Sequence, residues 1–211
     1  MFPDIAVPVI GLTGPTGAGK STAAGMLAAL GCAVIDGDAL AREITLPGSP
    51  VLAQLAARFG KDIYKGKNLD RALLAERAFT DEKSRRDLNS ITHPAITALA
   101  MTRAKALQGA RAIVLDAAAL LESDLARACD HILLVTAPEA LRLERILRRG
   151  GISEQTARKR IAAQACMEFT TPPGVGCTVI DTAEGETMLR GAVERAFTEI
   201  GNQYSKPDGG N

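Results

Sequence analysis

The sequence predicts an α/β fold, a five-stranded parallel sheet with helices on both faces. Two observations predict it. Short apolar runs without polar interruption alternate with longer segments of helical pattern, and a glycine-rich turn separates the first run from the first helix. Uninterrupted apolar runs are typical of strands covered on both faces, as in parallel sheets. The alternation of strands and helices favours β-α-β units with right-handed crossovers.

Five segments are predicted to be strands, and three others are predicted to be core helices. The predicted strands are residues 7–13, 32–36, 112–116, 131–135 and 177–181. The predicted helices are residues 20–30, which Gly31 closes, 138–149 and 186–200. The segment 202–211 is polar and rich in Gly and Pro, which predicts a flexible tail without a function.

The interval 39–109 is too long for a single crossover helix. It contains three segments of helical pattern, in "PGSPVLAQLAARFG", "DRALLAERAF" and "ITHPAITALAMTRAKAL". We therefore expect a helical subdomain inserted into a core made of residues 7–38 and 110–200, with residues 1–211 forming one domain.

Composition and charge limit the kind of core and the kinds of binding partner that the chain can have. Aromatic residues are 3% of the chain and tryptophan is absent, so the core is predicted to consist of Ala, Leu, Ile and Val. A net charge of +1 provides no global basic field for nucleic acid or an anionic membrane. Without a long apolar run or a basic leader, the expected compartment is the cytoplasm. Four cysteines without C-x-x-C spacing predict buried, reduced thiols. The chain is compatible with a monomer or a small homo-oligomer.

The glycine-rich turn Gly14–Ser21 matches the phosphate-loop pattern G-x-x-x-x-G-K-[ST] between a predicted strand and a predicted helix. In such loops, backbone N–H groups and the helix N-terminus surround an anion. The loop therefore predicts binding of a nucleoside triphosphate together with Mg²⁺. Lys20 is expected to reach the β- and γ-phosphates and the Ser21 hydroxyl to bind Mg²⁺. The full set of predicted phosphate-binding residues is Gly17, Ala18, Gly19, Lys20, Ser21 and Thr22.

Carboxylates follow two of the predicted strands. Asp116 ends "AIVLD", where a metal-side aspartate is expected, but Ala117 follows it instead of the glutamate of a water-activating ATPase. Asp36 and Asp38 follow the second strand, at the sheet edge where open α/β folds bind ligands. A carboxylate there could accept a proton from an attacking hydroxyl, or it could simply cap the next helix. Both interpretations remain open for each aspartate.

Arginines are concentrated in residues 142–166, which Gly150-Gly151 divides into two predicted helices. Such residues usually form a solvated helix face. A kinase must also exclude water from its phosphates, and a closing lid of basic residues does so. Arg148 and Arg149, beside the glycine pair, are the arginines predicted to contact the phosphates.

Several segments together resemble the dephospho-coenzyme A kinase family, from about residue 9 to about residue 200. They are "VIDGDALARE", "LPGSPVL", "FGKDIYKGKNLDRALLAERAF", "LNSITHPAI" and "RILRRGGISEQTARKRIAAQ". The resemblance implies a P-loop kinase fold with an acceptor-binding helical insertion and a helical lid. It also implies transfer of the γ-phosphoryl group of ATP to the ribose 3′-hydroxyl of dephospho-CoA.

The resemblance also implies roles for individual residues. Asp38, the second aspartate of D-x-D, matches the catalytic base, and Lys20 and Ser21 match the phosphate and Mg²⁺ ligands. Arg42 and His93 fall on the acceptor side. Without the motif, His93 would be interpreted as a histidine at a helix start before proline.

The chain departs from the family pattern at two places. In "LDAAALLESD", Ala118 and Leu121 replace a proline and a phenylalanine that line the family's acceptor site, while Glu122 remains as an acceptor-side residue. After the last strand, Thr182 replaces an asparagine near the adenine, which predicts adenine contacts from the backbone.

Two alternatives are weighed against this function. Another small-molecule kinase, of the nucleoside-monophosphate type, would share the loop and lid but leave "PGSP" and His93-Pro94 unexplained. A regulatory or scaffold module that only holds ATP would lack the base or the lid.

Overall fold

A computed structural model describes residues 5–107, 109–164 and 169–204. The chain divides into two compact units, one comprising Met1–Ile35 and Ala104–Asn211 and the other comprising Asp36–Arg103. Most of the tail predicted to be flexible, residues 205–211, lies outside the described residues. Residues 202–204 belong to the last helix, four residues longer than predicted, where the Tyr204 hydroxyl donates to the Ile5 carbonyl at 3.3 Å.

The regular elements are as follows. The strands are β1 Val9–Thr13, β2 Ala33–Asp36, β3 Tyr64–Lys65, β4 Asn68–Leu69, β5 Ile113–Asp116, β6 His131–Thr136 and β7 Gly176–Asp181. The α-helices are α1 Lys20–Ala29, α2 Gly37–Glu43, α3 Pro50–Phe59, α4 Arg71–Ala78, α5 Glu82–Ala106, α6 Leu125–Ala128, α7 Glu139–Arg149, α8 Glu154–Ala163 and α9 Glu186–Tyr204. Short 3₁₀ turns occupy Lys61–Ile63 and Leu120–Glu122. None of the described helices has the length and apolarity needed to cross a membrane.

The main sheet has five strands in the order β2-β5-β1-β6-β7. β1 runs parallel to both β5 and β6, and β6 runs parallel to β7. All five residues of the central β1 are buried, as its uninterrupted apolar run predicts. The predicted five-stranded α/β sheet is therefore confirmed. The register pairs Leu12 with Asp116 and Thr136 with Asp181, so the carboxyl ends of these strands lie along one edge.

One hydrophobic cluster joins the sheet to α1 and α9. It includes Ile10 and Leu12 of β1, Leu27 of α1, and Val193 and Phe197 of α9. Apart from Phe197, the cluster is built from aliphatic residues, cysteine and methionine. Each buried methylene contributes about 0.8 kcal/mol. Because this core holds α1 against β1, it fixes the loop that connects them.

The second unit has its own core and is not purely helical. Its cluster includes Leu55, Phe59, Ile63 and Leu74. The three predicted helical segments correspond to α3, α4 and α5. Between α3 and α4, β3 and β4 form a short antiparallel hairpin that the helical prediction missed. Strands of two residues are too short to show a hydrophobic period.

α5 begins earlier than predicted and contains Pro94 in its interior. His93 therefore lies in the middle of a helix, and its interpretation as a helix-start histidine is wrong. Pro94 has no N–H to donate to the preceding turn, which ordinarily marks a helix end or a kink. The helix nevertheless continues through Pro94. Eleven helical residues, from Glu82 onward, precede His93.

The cysteines are partly as predicted. Cys32 and Cys129 are buried free thiols, and burial raises their pKa values to about 11 and about 12. Both are therefore protonated at neutral pH and unreactive. Cys177 is exposed on β7, contrary to the prediction of buried thiols, because β7 is the edge of the sheet. Cys166 lies outside the described residues.

Stability is expected to fall in mildly acidic solution because of His131. Its Nε2 lies 2.9 Å from the Thr178 hydroxyl, and burial lowers its pKa, partly offset by Glu199. The unfolded chain therefore binds the proton more readily than the folded chain does. The stabilisation is fully present above about pH 6.5, the unfolded value, and is lost as pH falls through the lowered folded value.

Urea unfolding between about pH 8 and about pH 5 measures this dependence. His131→Gln should flatten the slope of the unfolding free energy against pH relative to the native chain. A parallel His93→Gln variant measures the contribution of the other histidine separately. An unchanged slope in His131→Gln would contradict the assignment.

Candidate active site

The phosphate loop has close contacts that only glycine tolerates. Gly14 and Gly17 have φ values of +152° and +84°, a region that side chains rarely adopt. A Cβ atom on Gly14 would lie 2.2 Å from the Val135 carbonyl oxygen, and one on Gly17 would lie 2.7 Å from the Arg142 carbonyl oxygen. The loop is therefore pressed against β6 and α7, and the motif glycines permit that approach.

Two arginines of α7 hold the carbonyl groups of this loop. Arg142 Nε donates to the Thr16 carbonyl at 2.9 Å. Arg145 Nη1 donates to the carbonyls of Gly17 and Ala18 at 3.4 Å and 3.2 Å. These carbonyl oxygens are thus directed towards α7.

The sequence analysis missed both arginines, because it favoured Arg148 and Arg149 as the functional residues of this helix. Helical phase was the available signal for Arg142, which lies one turn before the buried Ile146 and is itself buried. Arg145 lies three residues further along α7 and contacts the loop from the same helix.

Four amide groups of the loop remain available to a ligand. Within the described chain, the N–H groups of Gly17, Gly19, Lys20 and Ser21 donate to no protein acceptor. Ala18, also predicted to bind phosphate, instead donates its N–H to the Pro15 carbonyl at 3.1 Å. Unpaired amides at a helix N-terminus form an anion site.

Lys20 and Asp116 are brought together by the structure. The Lys20 ammonium is ion-paired and hydrogen-bonded to Asp116 Oδ1. Their side chains are 19% and 15% exposed, so the pair is largely shielded from water. A carboxylate that holds an ammonium ion also has the oxygen chemistry that Mg²⁺ prefers. The described residues contain no cluster of three or more His, Cys, Asp or Glu side chains that could hold a metal alone.

A cleft of about 420 Å³ opens beside the N-terminus of α1. This volume is in the range of sites for small ligands. Gly19 and Thr22 of the loop line it, and Arg148 and Arg149 line the α7 side. The remaining wall comes from α7, from the turn between β7 and α9, and from the start of α9, and consists of Leu141, Glu144, Arg145, Thr182, Ala183, Gly185, Glu186 and Leu189.

Thr182 holds the loop from the side of β7. It is 1% exposed, its hydroxyl donates to the Ala18 carbonyl at 2.7 Å and accepts from Arg145 Nη1 at 2.6 Å. Its own carbonyl accepts from Arg145 Nη2 at 2.9 Å. The side chain that replaces the family's asparagine thus connects β7, α7 and the phosphate loop.

Replacing Thr182 with valine should weaken binding of the nucleotide. The change keeps the shape of the side chain but removes a hydroxyl that makes two hydrogen bonds. We expect KM for ATP to rise about threefold to tenfold, the equivalent of about 1 kcal/mol. Steady-state kinetics with ATP varied would measure it.

Thr198→Val on α9 makes the same chemical change at an exposed position, where the hydroxyl donates to the Glu194 carbonyl of its own helix, and should leave KM unchanged. Thr182→Ser should restore most of the loss, because it restores the hydroxyl. A valine variant with native KM would show that Thr182 does not support the loop.

The second unit contains three predicted site residues, Asp38, Arg42 and His93. Within this unit, Asp36 caps α2, since its carboxylate accepts from the N–H groups of Asp38 and Ala39 at 2.8 Å and 3.0 Å. Asp38 is exposed in the first turn of α2 and has no capping role. The two interpretations of the aspartate pair are thus separated. The cap is Asp36, and Asp38 remains the candidate base.

The other acceptor-side residues have the following positions. Arg42 is exposed, and its carbonyl accepts from Arg71 Nη2 at 3.3 Å. Arg71, which the sequence analysis overlooked, also donates to the Thr45 hydroxyl at 2.7 Å and so holds the end of α2. His93 is half-buried on α5. Glu122 belongs to the first unit, where it is exposed in the 3₁₀ turn after β5.

Sequence comparison assigns the family. The family model described as dephospho-CoA kinase matches residues 8–171. The chain belongs to the dephospho-CoA kinase family. Among curated members, the dephospho-CoA kinase of Syntrophotalea carbinolica is 45% identical over 159 residues, which cover 74% of this chain and 75% of that protein. The dephospho-CoA kinase of Corynebacterium efficiens is 40% identical over 195 residues, covering 90% and 96% respectively.

Solved structures agree with the fold of this family. A Thermus thermophilus protein of known structure has a TM-score of 0.71 at 27% identity and covers 93% of this chain and 97% of its own. Dephospho-CoA kinase from Campylobacter jejuni gives a TM-score of 0.59 at 21% identity, covering 92% and 98%. At that identity the second comparison concerns the fold alone. The P-loop kinase fold predicted from the sequence is confirmed.

Proposed function

We propose that this member of the family transfers the γ-phosphoryl group of ATP to the 3′-hydroxyl of dephospho-CoA, which produces CoA and completes coenzyme A biosynthesis. The observation that carries the proposal is the match of the dephospho-CoA kinase model to residues 8–171. That match spans the phosphate loop, the whole second unit and the arginine-bearing α7 and α8. A nucleoside-monophosphate kinase is not favoured.

The donor phosphates are assigned to the loop and the cleft beside it. Thr16, Gly17 and Ala18 have their carbonyls held towards α7, and a loop held in this way presents amides on its other side. Phosphate oxygens are then bound by the N–H groups of Gly17, Gly19, Lys20 and Ser21. The other two residues of the predicted phosphate-binding set are Ala18 and Thr22. Since the Thr182 hydroxyl is already bonded to Ala18 and Arg145, the adenine is expected to contact backbone atoms of the cleft.

Lys20 and Asp116 exchange partners when the nucleotide binds. Lys20 leaves Asp116 and donates to the β- and γ-phosphate oxygens, where it offsets charge that develops during transfer. The carboxylate released in this way, together with the Ser21 hydroxyl, would hold Mg²⁺. When bound, Mg²⁺ supplies neutralisation of phosphate charge. The ion pair of Lys20 with Asp116 supports this assignment, since an ammonium ion already occupies a cation position on that carboxylate.

The second unit is assigned to the acceptor, as an insertion of about residues 39–109. Asp38 accepts the proton of the 3′-hydroxyl as its oxygen attacks the γ-phosphorus atom. Arg42, His93 and Glu122 bind the acceptor. The cap made by Asp36 supports the choice of Asp38, because the cap leaves the carboxylate of Asp38 uncommitted among the described residues.

The lid is assigned to residues 142–166, of which 165 and 166 lie outside the described residues. Arg148 and Arg149 end α7 directly before Gly150-Gly151 and line the cleft. Guanidinium groups there would stabilise the transferred phosphoryl group and help exclude water. α7 and α8 pack against each other through Ile146 and Ile161.

A coupled assay of ADP release with Mg-ATP tests the function. Dephospho-CoA, AMP, CMP and adenosine are compared as acceptors with a reaction lacking acceptor, and the product mass identifies the phosphorylated position. ADP release that depends on dephospho-CoA, with a 3′-phosphorylated product, is the expected result. Release that depends instead on AMP or CMP would identify a nucleoside-monophosphate kinase. Equal release with every acceptor, or none, would overturn the proposal.

A further inference from the structure

Gln164, at the C-terminal end of α8, reaches the phosphate loop. Its Oε1 atom lies 2.9 Å from the Thr16 amide nitrogen and 3.1 Å from Arg142 Nη2. Both neighbours can only donate, so the atom between them must be the oxygen of the side-chain amide. Gln164 is half-buried, which shields these bonds from water.

Arg142 completes a closed set of hydrogen bonds around Thr16. Its Nε donates to the Thr16 carbonyl at 2.9 Å, while Gln164 accepts from the Thr16 N–H. The two polar groups of one peptide residue are thus held by two side chains that also bond each other. We name this set, Thr16 with Arg142 and Gln164, the Thr16 clasp.

The clasp buries a charged side chain, that of Arg142, beside the phosphate loop. Arg142 is 8% exposed and its acceptors within the described chain are neutral oxygens, so its charge is buried without a carboxylate in contact. Burial lowers the pKa of this guanidinium. Its positive charge adds to the field behind an anion site. Removing the Gln164 oxygen would leave both the arginine Nη2 and the Thr16 N–H without this acceptor.

We propose that Gln164 is a positioning residue for phosphoryl transfer, acting through Arg142 and Thr16 on the phosphate loop. Gly17 follows Thr16 directly, and its N–H is one of the amides available to phosphate. Gln164 holds the Thr16 N–H directly and the Thr16 carbonyl through Arg142. It thereby keeps the loop in its binding conformation before ATP arrives, so less ordering accompanies binding. The inference rests on the proposed function, in which this loop binds the phosphates of ATP.

The test compares two substitutions at this position. Gln164→Met keeps the length of the side chain but removes the oxygen, and Gln164→Glu keeps an oxygen between the two donors. We expect kcat/KM for ATP to fall roughly tenfold to a hundredfold in Gln164→Met and to stay within about threefold of native in Gln164→Glu. KM for the acceptor should change less than about twofold in both. Gln203→Met makes the same chemical change at an exposed position of α9, outside the lid, and serves as the control.

Two further measurements keep the test independent of the activity. Hydrogen exchange of the Thr16 amide, followed by NMR, should accelerate in Gln164→Met and not in Gln203→Met. The Kd for ATP can be measured without an acceptor, so a chain that binds ATP but phosphorylates nothing would refute the proposed function and still test the clasp. Native kinetics and a native Kd in Gln164→Met would overturn the proposal. Equal losses in Gln164→Met and Gln164→Glu, with KM for both substrates affected, would assign Gln164 a structural role only.

Discussion

Replacing Lys20 with methionine is expected to lower kcat by about 10³-fold, or about 4 kcal/mol of transition-state stabilisation. Methionine preserves the length of the side chain but cannot neutralise charge on the transferred phosphoryl group. The loop N–H groups that are available to phosphate belong to the backbone, so the substitution leaves them in place. Binding of ATP should therefore weaken less than turnover does. Single-turnover transfer and the Kd for ATP, measured on the same preparation, separate the two effects.

The same substitution has a separate consequence for stability. Lys20 is paired with Asp116, and methionine would leave that carboxylate largely shielded and without the ammonium. We expect the free energy of unfolding to fall by about 1–2 kcal/mol, so activity must be compared where both proteins are fully folded. Lys67→Met removes the same charge from an exposed position in the turn of the β3–β4 hairpin and should change neither quantity. Turnover within about tenfold of native in folded Lys20→Met would refute the role of Lys20.

The sheet and the loop could be predicted because their signals are local and periodic. Uninterrupted apolar runs such as that of β1 identify strands buried on both faces, and the glycine positions of the loop are required by its geometry. The β3–β4 hairpin escaped prediction because its strands have two residues each. The exposure of Cys177 escaped it because the strand order, which places β7 at the edge, is a property of the folded sheet.

The supports of the site were harder to predict than its ligand-binding residues. Arginines on a helix usually form a solvated face, so Arg142 and Arg145 did not stand out from Arg148 and Arg149. Their role depends on the packing of α7 against the loop, where Gly17 allows contact with the Arg142 backbone. The sequence analysis predicted that, with Thr182 in place of an asparagine, the adenine contacts come from the backbone, and it assigned the Thr182 side chain no role. In the fold its hydroxyl is used by Ala18 and Arg145, because the end of β7 lies behind the loop.

Asp36 and Asp38 illustrate an alternative that sequence alone left open. Both follow β2, both can cap a helix, and both can accept a proton. The hydrogen bonds from the amides of Asp38 and Ala39 to Asp36 decide between them for the cap. The capping residue is defined by its position directly before the first helical residue. A local pattern with two aspartates two positions apart does not show where the helix begins.

Replacing Asp38 with asparagine is expected to lower kcat by roughly 10²- to 10³-fold, the range in which general bases contribute. Asparagine has the shape of aspartate but does not accept the proton of the attacking hydroxyl. Since the carboxylate acts on the acceptor hydroxyl and the loop N–H groups that bind phosphate are unchanged, the Kd for ATP should stay within about twofold of native. Turnover with dephospho-CoA and calorimetric binding of ATP would measure both.

Asp36→Asn is the matched control, because it makes the same change two residues earlier. Asparagine caps helices as well as aspartate does, so this variant should keep its stability within about 0.5 kcal/mol and keep its turnover. Asp36→Ala should lose about 1 kcal/mol of stability and leave the chemistry intact, which tests the cap directly. If Asp36→Asn were the slower enzyme and Asp38→Asn remained within about tenfold of native, the base would be Asp36 and the assignment would be reversed. If both retained turnover, the hydroxyl would lose its proton without a carboxylate base, as a loose phosphoryl-transfer transition state permits, and positioning together with charge neutralisation by Lys20 would account for most of the catalysis.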